Sequence, residues 1–244
     1  MTTAIVTGGA KRLGKEIALA LAKEGINIIL HYNTSREEAE KTKKEIEGFN
    51  VKCWTINADF SDQEAINTLI DRAFSLTDDI TFLINNSSIF PLGKWDKVEF
   101  QDFINTFKVN SLAPYLLSIR FANKLGNREG KVVNVLDSII SGYNFERYPY
   151  YLSKKLLETI TYSLALKLAP NITVNAVAPG LILPPEGKGY DYLEKLKENV
   201  PLKRYGSPKD VANAVIFLLK SDFITGQIIY IDGGEHLKPR IVEG

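Results

Sequence analysis

Ala4-Ile5-Val6-Thr7-Gly8-Gly9-Ala10-Lys11-Arg12-Leu13-Gly14-Lys15-Glu16-Ile17-Ala18-Leu19-Ala20-Leu21-Ala22 is the stretch from which the rest of the chain is read. Its short apolar run predicts a strand, and Thr7-Gly8-Gly9 ends that strand. Ile17, Ala18, Leu21 and Ala22 then recur at helical spacing until Gly25. A glycine-rich turn between a strand and a helix suits a phosphate. Small residues let the backbone approach it, and the helix offers free N–H groups and its positive dipole end. A purely structural turn also accounts for such glycines, but the position directly after a first strand favours a dinucleotide. The middle glycine usual in such cradles is replaced by Arg12, which places a cation beside the phosphates.

Outward from this unit the pattern repeats. Residues 26–30, 51–56, 80–84, 132–136, 172–177 and 227–231 are predicted strands. Residues 36–47, 62–74 (with Ser61 as cap), 100–125, 150–168 and 208–219 are predicted helices. Nearly continuous apolar strands alternating with helices imply a parallel sheet covered on both faces. The expected fold class is α/β: one doubly wound Rossmann domain over residues 1–244, with a mostly parallel seven-stranded sheet. Residues 181–200 interrupt the pattern with Pro184, Pro185, Gly187 and Gly189 before a short polar helix, and are expected to form a mobile flap.

The chain has 244 residues, 45% hydrophobic and 24% charged, which is ordinary for a globular domain. Its 30 Lys and Arg against 29 Asp and Glu leave a net charge of +1, which removes the electrostatic case for a nucleic-acid partner. No apolar run approaches the roughly 18 residues of a membrane span, and no secretory signal pattern is visible. With one cysteine, Cys53, and two histidines, neither a disulfide nor a metal site is expected. A soluble, cytoplasmic, single-domain protein is the expectation.

The end of the second strand bears on the choice of dinucleotide. Sites for the unphosphorylated ribose usually carry an acid there. Here His31-Tyr32-Asn33-Thr34-Ser35-Arg36 offers none before Glu37. A carboxylate repels a ribose phosphate, whereas Arg12, Ser35 and Arg36 suit one. NADPH is therefore expected over NADH, although Arg36 also fits the start of a charged helix.

Tyr150 and Lys154 stand four apart at the start of a helix, on one face. Hydride transfer to a carbonyl or imine leaves charge on the acceptor heteroatom, and a phenol beside an ammonium can supply the proton it needs. Tyr151 and Lys155 fit the same spacing, so the residues alone leave the pair open.

The order of these motifs resembles the short-chain dehydrogenase/reductase family. The likeness runs from the cradle of residues 7–14 through Asn85-Asn86-Ser87, Asn110, Tyr150 with Lys154 and Pro179-Gly180 to Asp232-Gly233-Gly234. It covers essentially the whole chain. Family spacing from Gly130 to the catalytic serine, and from the lysine to Ala169-Pro170, selects Tyr150 and Lys154. The serine position is held by Asp137. Together with Arg12, His31-Tyr32 and Phe90, this resembles the pteridine reductases and related dihydromonapterin- and dihydrofolate-reducing enzymes.

That resemblance implies reduction of a pterin or folate C=N bond. Tyr150 would be the proton donor, Asp137 a relay beside it, Lys154 the group that lowers the tyrosine pKa and holds the nicotinamide ribose, and Asn110 the helix-kinking support of a water chain. Cofactor contacts are expected from Thr7, Gly8, Lys11, Arg12, Leu13, Gly14, His31, Tyr32, Ser35, Asp59, Phe60, Asn86, Ser87, Ser88, Pro179 and Gly180. Substrate contacts are expected from Arg12, Ser88, Phe90, Asp137 and Tyr150, with Leu181 and Leu183 as an apolar wall. Members commonly form tetramers through two long helices, here residues 100–125 and 150–168, so a homotetramer or homodimer is expected. Two rivals stand beside this reading. One is reduction of a ketone, such as a 3-oxoacyl thioester or a sugar. The other is a non-catalytic nicotinamide sensor, which would not need Asn110, Tyr150 and Lys154.

Overall fold

The computed structural model describes residues 2–238 and 241–243. Seven strands, β1 (Thr3–Val6), β2 (Asn27–Tyr32), β3 (Cys53–Asn57), β4 (Ile80–Asn85), β5 (Gly130–Val135), β7 (Ile172–Pro179) and β8 (Ile228–Ile231), form one sheet in the order β3-β2-β1-β4-β5-β7-β8. Every pairing is parallel, so the sheet is wholly rather than mostly parallel. A second sheet, not anticipated from the sequence, pairs β6 (Tyr143–Asn144) with β9 (Ile241–Val242).

Side chains alternate across the main sheet with period two. Ala4, Val6, Ile28 and Leu30 pack on α1 (Arg12–Lys23) and α8 (Pro208–Lys220). Ile5, Ile29, Leu83 and Val132 face the opposite layer, made by α3 (Gln63–Phe74), α5 (Ala113–Leu125) and α6 (Tyr148–Leu168). Both faces are thus apolar, which is why the strands read as continuous runs. Phe121 of α5 is wholly buried in the second layer, and truncating such a ring to alanine costs about 3–5 kcal/mol.

Several boundaries differ from the sequence reading. The third helix is capped by Asp62, whose side chain accepts from the Glu64 amide, and not by Ser61. His31 and Tyr32 lie inside β2 rather than after it. The segment expected as one helix over residues 100–125 is α4 (Phe100–Phe107), a π-helical turn over Lys108–Leu112, and α5. The remaining helices are α2 (Arg36–Glu47) and α7 (Asp191–Leu196), the latter within the flap. No helix among the described residues is long and apolar enough to cross a membrane, and no group of three metal-ligating side chains occurs among them.

The strand order reverses direction between β1 and β4. Their carboxyl ends flank a crevice, the place where such sheets bind ligands.

Candidate active site

A cavity of about 980 Å³ opens at that crevice. On its wall stand Gly8, Lys11, Arg12, Leu13, Gly14, His31, Tyr32, Ser35, Asp59, Phe60, Asn86, Ser87, Ser88 and Phe90, all anticipated from the sequence. Thr7, Asn110, Asp137, Tyr150, Lys154, Pro179, Gly180, Leu181 and Leu183 are absent from that wall. Arg36, at the start of α2, is exposed and also lies off it.

The cradle is shaped by three local facts. Gly8 has φ +62°, and Arg12, at the position of the missing glycine, keeps a left-handed φ of +53°. A non-glycine residue pays about 1 kcal/mol or more for that conformation. A Cβ on Gly14 would lie 2.1 Å from Gly8 O and 2.5 Å from Asn86 Nδ2, so this residue lets helix and turn close on each other. The first turn of α1 holds no acidic residue and its N-cap, Lys11, makes no capping hydrogen bond, leaving the helix amides to a ligand.

Thr7 and Asn86 fasten the cradle to the end of β4. Thr7 Oγ1 accepts from the Asn86 and Ser87 amides at 2.9 and 3.0 Å, while Asn86 Nδ2 donates to Thr7 O and Gly8 O. The Thr7 side chain is spent on this strap, which explains its absence from the wall.

His31 has a similar buttressing role. Its buried ring accepts the Gly8 amide on Nδ1, donates from Nε2 to Ala58 O, and stacks on Phe60 with centroids 4.3 Å apart. These partners assign the neutral Nε2–H tautomer. Burial holds its pKa down at about 4. Asp59 Oδ1 accepts the Ser61 amide, so it caps a turn as well as lining the cavity.

The flap begins clamped across the cradle. Arg12 Nη2 donates to Pro184 O, and Lys11 Nζ pairs with Glu186 Oε1 at 2.8 Å. Lys11 draws the Glu186 carboxyl below its ordinary pKa. Leu183 is turned instead into the core beside α1 and α8, and neither it nor Leu181 forms the expected apolar wall. Pro185 and Glu186 line the cavity in their place.

Behind the wall sits a second, enclosed cluster. Tyr150 Oη donates to Asp137 Oδ2 at 2.7 Å, and Asp137 Oδ1 accepts the Ile139 amide at 2.9 Å. Asp137 therefore also caps the short 3-10 turn Ser138–Ser141. Lys154, 2% exposed, donates to Val135 O at 2.9 Å, and its Nζ is 5.7 Å from the Tyr150 ring centroid.

Burial and the facing carboxylate push the Tyr150 phenol well above its ordinary pKa, and burial raises Asp137 as well. This corrects the expectation that Lys154 lowers the tyrosine pKa. The carboxylate touches the phenol, whereas the ammonium is turned to a carbonyl. Loss of water lowers Lys154 itself to about 8, against the opposing pull of Asp137.

Asn110 lies at the centre of the π-helical turn, wholly buried. Its Oδ1 accepts the Ile89 amide at 2.9 Å, and Nδ2 donates to Ile89 O and Ser153 Oγ. The side chain thus holds the loop that carries Phe90 rather than reaching Lys154. Phe90 lies edge-on over Tyr150, centroids 4.5 Å apart, between the phenol and the open cavity. Arg147, which the sequence reading missed, stands on the wall with its guanidinium over the Phe90 ring.

A sequence profile described as enoyl-(acyl carrier protein) reductase matches residues 8–236. The 3-oxoacyl-[acyl-carrier-protein] reductase FabG of Aquifex aeolicus (strain VF5) is 34% identical over 242 residues, covering 94% of this chain and 95% of that protein. Among solved structures, FolM alternative dihydrofolate reductase 1 from Brucella suis, in complex with NADP, aligns with TM-score 0.92 and 32% identity over 97% of this chain and 95% of the other. An acetoin dehydrogenase from Enterobacter cloacae aligns with TM-score 0.89 and 30% identity over 97% and 96%.

Proposed function

The chain belongs to the short-chain dehydrogenase/reductase family of NAD(P)-dependent oxidoreductases, and within it we propose an NADPH-dependent reductase acting on a C=N bond of a pterin- or folate-like heterocycle. The observation that carries this reading is the 2.7 Å hydrogen bond from Tyr150 to Asp137. A ketone reductase needs one proton donor beside the acceptor oxygen. A carboxyl group behind that donor raises its pKa and hinders it, unless the carboxyl itself holds and passes a proton. Burial favours the protonated form of both groups.

The residues fit the cofactor. The uncapped start of α1 suits a pyrophosphate, while Arg12 and Ser35 suit a ribose phosphate that no acid on this wall before Asp59 repels. NADP in the Brucella suis neighbour supports the same preference. When bound, the reduced nicotinamide supplies hydride to the ring carbon. Tyr150 gives its proton to the ring nitrogen; Asp137, in the protonated form that burial favours, then turns donor in the hydrogen bond they share, returns a proton to the phenolate and regains its own from bulk water before the next turnover. Lys154, buried and cationic, holds the nicotinamide ribose and balances the charge that passes through the pair. Phe90 offers a flat face to the heterocycle.

NADPH oxidation assayed with dihydrobiopterin, dihydrofolate, dihydromonapterin and an acetoacetyl thioester tests the proposal. Turnover of the pterins supports it, and turnover of the thioester alone contradicts it. Reduction of 3-oxoacyl thioesters is the second reading, favoured by the 34% identity to FabG of Aquifex aeolicus.

A further inference from the structure

Arg147 has no part in the cofactor cradle, and its side-chain hydrogen bond goes to Phe90 O rather than to Asp137 or Tyr150. Its Cζ lies 3.8 Å from the Phe90 ring centroid, and Nη1 donates to Phe90 O at 2.7 Å. The guanidinium therefore sits over the ring expected to hold the substrate. It is not a loose surface arginine. The loop carrying Phe90 is laced to the segment before α6 by main-chain hydrogen bonds from Gly93 to Glu146 O, Tyr148 to Gly93 O and Trp95 to Phe145 O. Phe145 stacks on Tyr148 behind it.

The charge lacks a counter-ion. No carboxylate pairs with Arg147 among the described residues; the groups that face it are the neighbouring Glu146 and the phenols of Tyr150 and Tyr192. A partly exposed guanidinium with no carboxylate paired to it keeps donors free, and its fork matches a carboxylate with two parallel bonds.

We propose that Arg147 receives a carboxylate borne on the side chain of the substrate, so that the pocket selects heterocycles with an acidic tail over those with a neutral one. The proposal rests on the pterin- or folate-like reading of this site. It makes Arg147 a specificity-determining residue.

The test compares the whole enzyme with its Arg147→Gln and Arg147→Lys variants on dihydrofolate, whose tail is acidic, and dihydrobiopterin, whose tail is neutral. In Arg147→Gln the KM for dihydrofolate is expected to rise about 10- to 100-fold with kcat retained. Arg147→Lys is expected to fall between. Unchanged dihydrobiopterin kinetics in both variants exclude a general collapse of the Phe90 loop. Equal loss on the two substrates, or none on dihydrofolate, overturns the proposal.

A second arm separates this claim from the reading beneath it. Calorimetric binding of p-aminobenzoylglutamate, which has the acidic tail and no pterin, is expected for the wild type and lost in Arg147→Gln. That outcome supports the subsite even if no pterin is reduced, in which case only the chemistry falls. Equal binding by both proteins overturns the subsite. So does Arg147-dependent binding of phosphopantetheine without that of p-aminobenzoylglutamate, which assigns the cation to a phosphate.

Discussion

The amide of Gly8 donates to Nδ1 of His31 at 3.0 Å, so the phosphate cradle is hung on a neutral imidazole inside the sheet. Protonating that nitrogen removes the acceptor and sets two donors against each other. Burial holds the folded-state pKa at about 4, below the ordinary imidazole value of 6.5. The unfolded chain therefore binds the proton first as pH falls. The His31 contribution to stability is complete above about pH 6.5 and is lost progressively towards pH 4.

The chain has two histidines, so the effect is readable in a carbon–proton spectrum of the imidazoles. The His31 resonance is expected to stay at its neutral position down to about pH 5. A midpoint near the free value would contradict the assigned tautomer and its burial.

Gly14 closes the cradle at the expense of any side chain. A methyl group there meets Gly8 O at 2.1 Å, which is main chain and has no room to yield. Gly14→Ala is expected to destabilise the fold by about 3 kcal/mol, lowering Tm by several degrees for a chain of this size. A thermal melt within about one degree of wild type means that turn and helix are not held together as described.

Arg12 holds both a left-handed backbone conformation and a flap carbonyl. If its guanidinium also binds the ribose phosphate, Arg12→Met should weaken NADPH by about tenfold or more and NADH by less, narrowing the preference. Fluorescence titration of both nucleotides decides it. Equal loss for the two assigns Arg12 to the pyrophosphate or the flap instead.

Much of the site was legible because regular elements carry it. Tyr150 stands thirteen positions after Asp137, yet the end of β5 and the start of α6 bring them into hydrogen-bond contact, as the family resemblance implied. The cradle was readable from its glycines, and the departure at Arg12 kept the glycine-like backbone. What escaped lies where no periodicity exists. Arg147 occupies an irregular segment, and its neighbours β6 and β9 are two-residue strands. The π-helical turn at Asn110 has the same hydrophobic spacing as an ordinary helix, so periodicity alone shows one long helix there, and only the family resemblance marks Asn110 as the place of the kink. Leu183 read as pocket wall because an apolar residue in a loop gives no sign of which side it faces.

The central claim is that Asp137 and Tyr150 act together as the proton source for a C=N bond. It is tested most directly by kcat/KM for a dihydropterin in Asp137→Ser, with NADPH affinity measured in parallel. The serine keeps a hydroxyl beside the phenol, but its proton is far too weakly acidic to be given up to a phenolate. The expected result is a fall of about 10²- to 10⁴-fold in pterin reduction with nucleotide binding unchanged. Pterin reduction at the wild-type rate in Asp137→Ser would contradict the relay and leave Tyr150 as the sole donor.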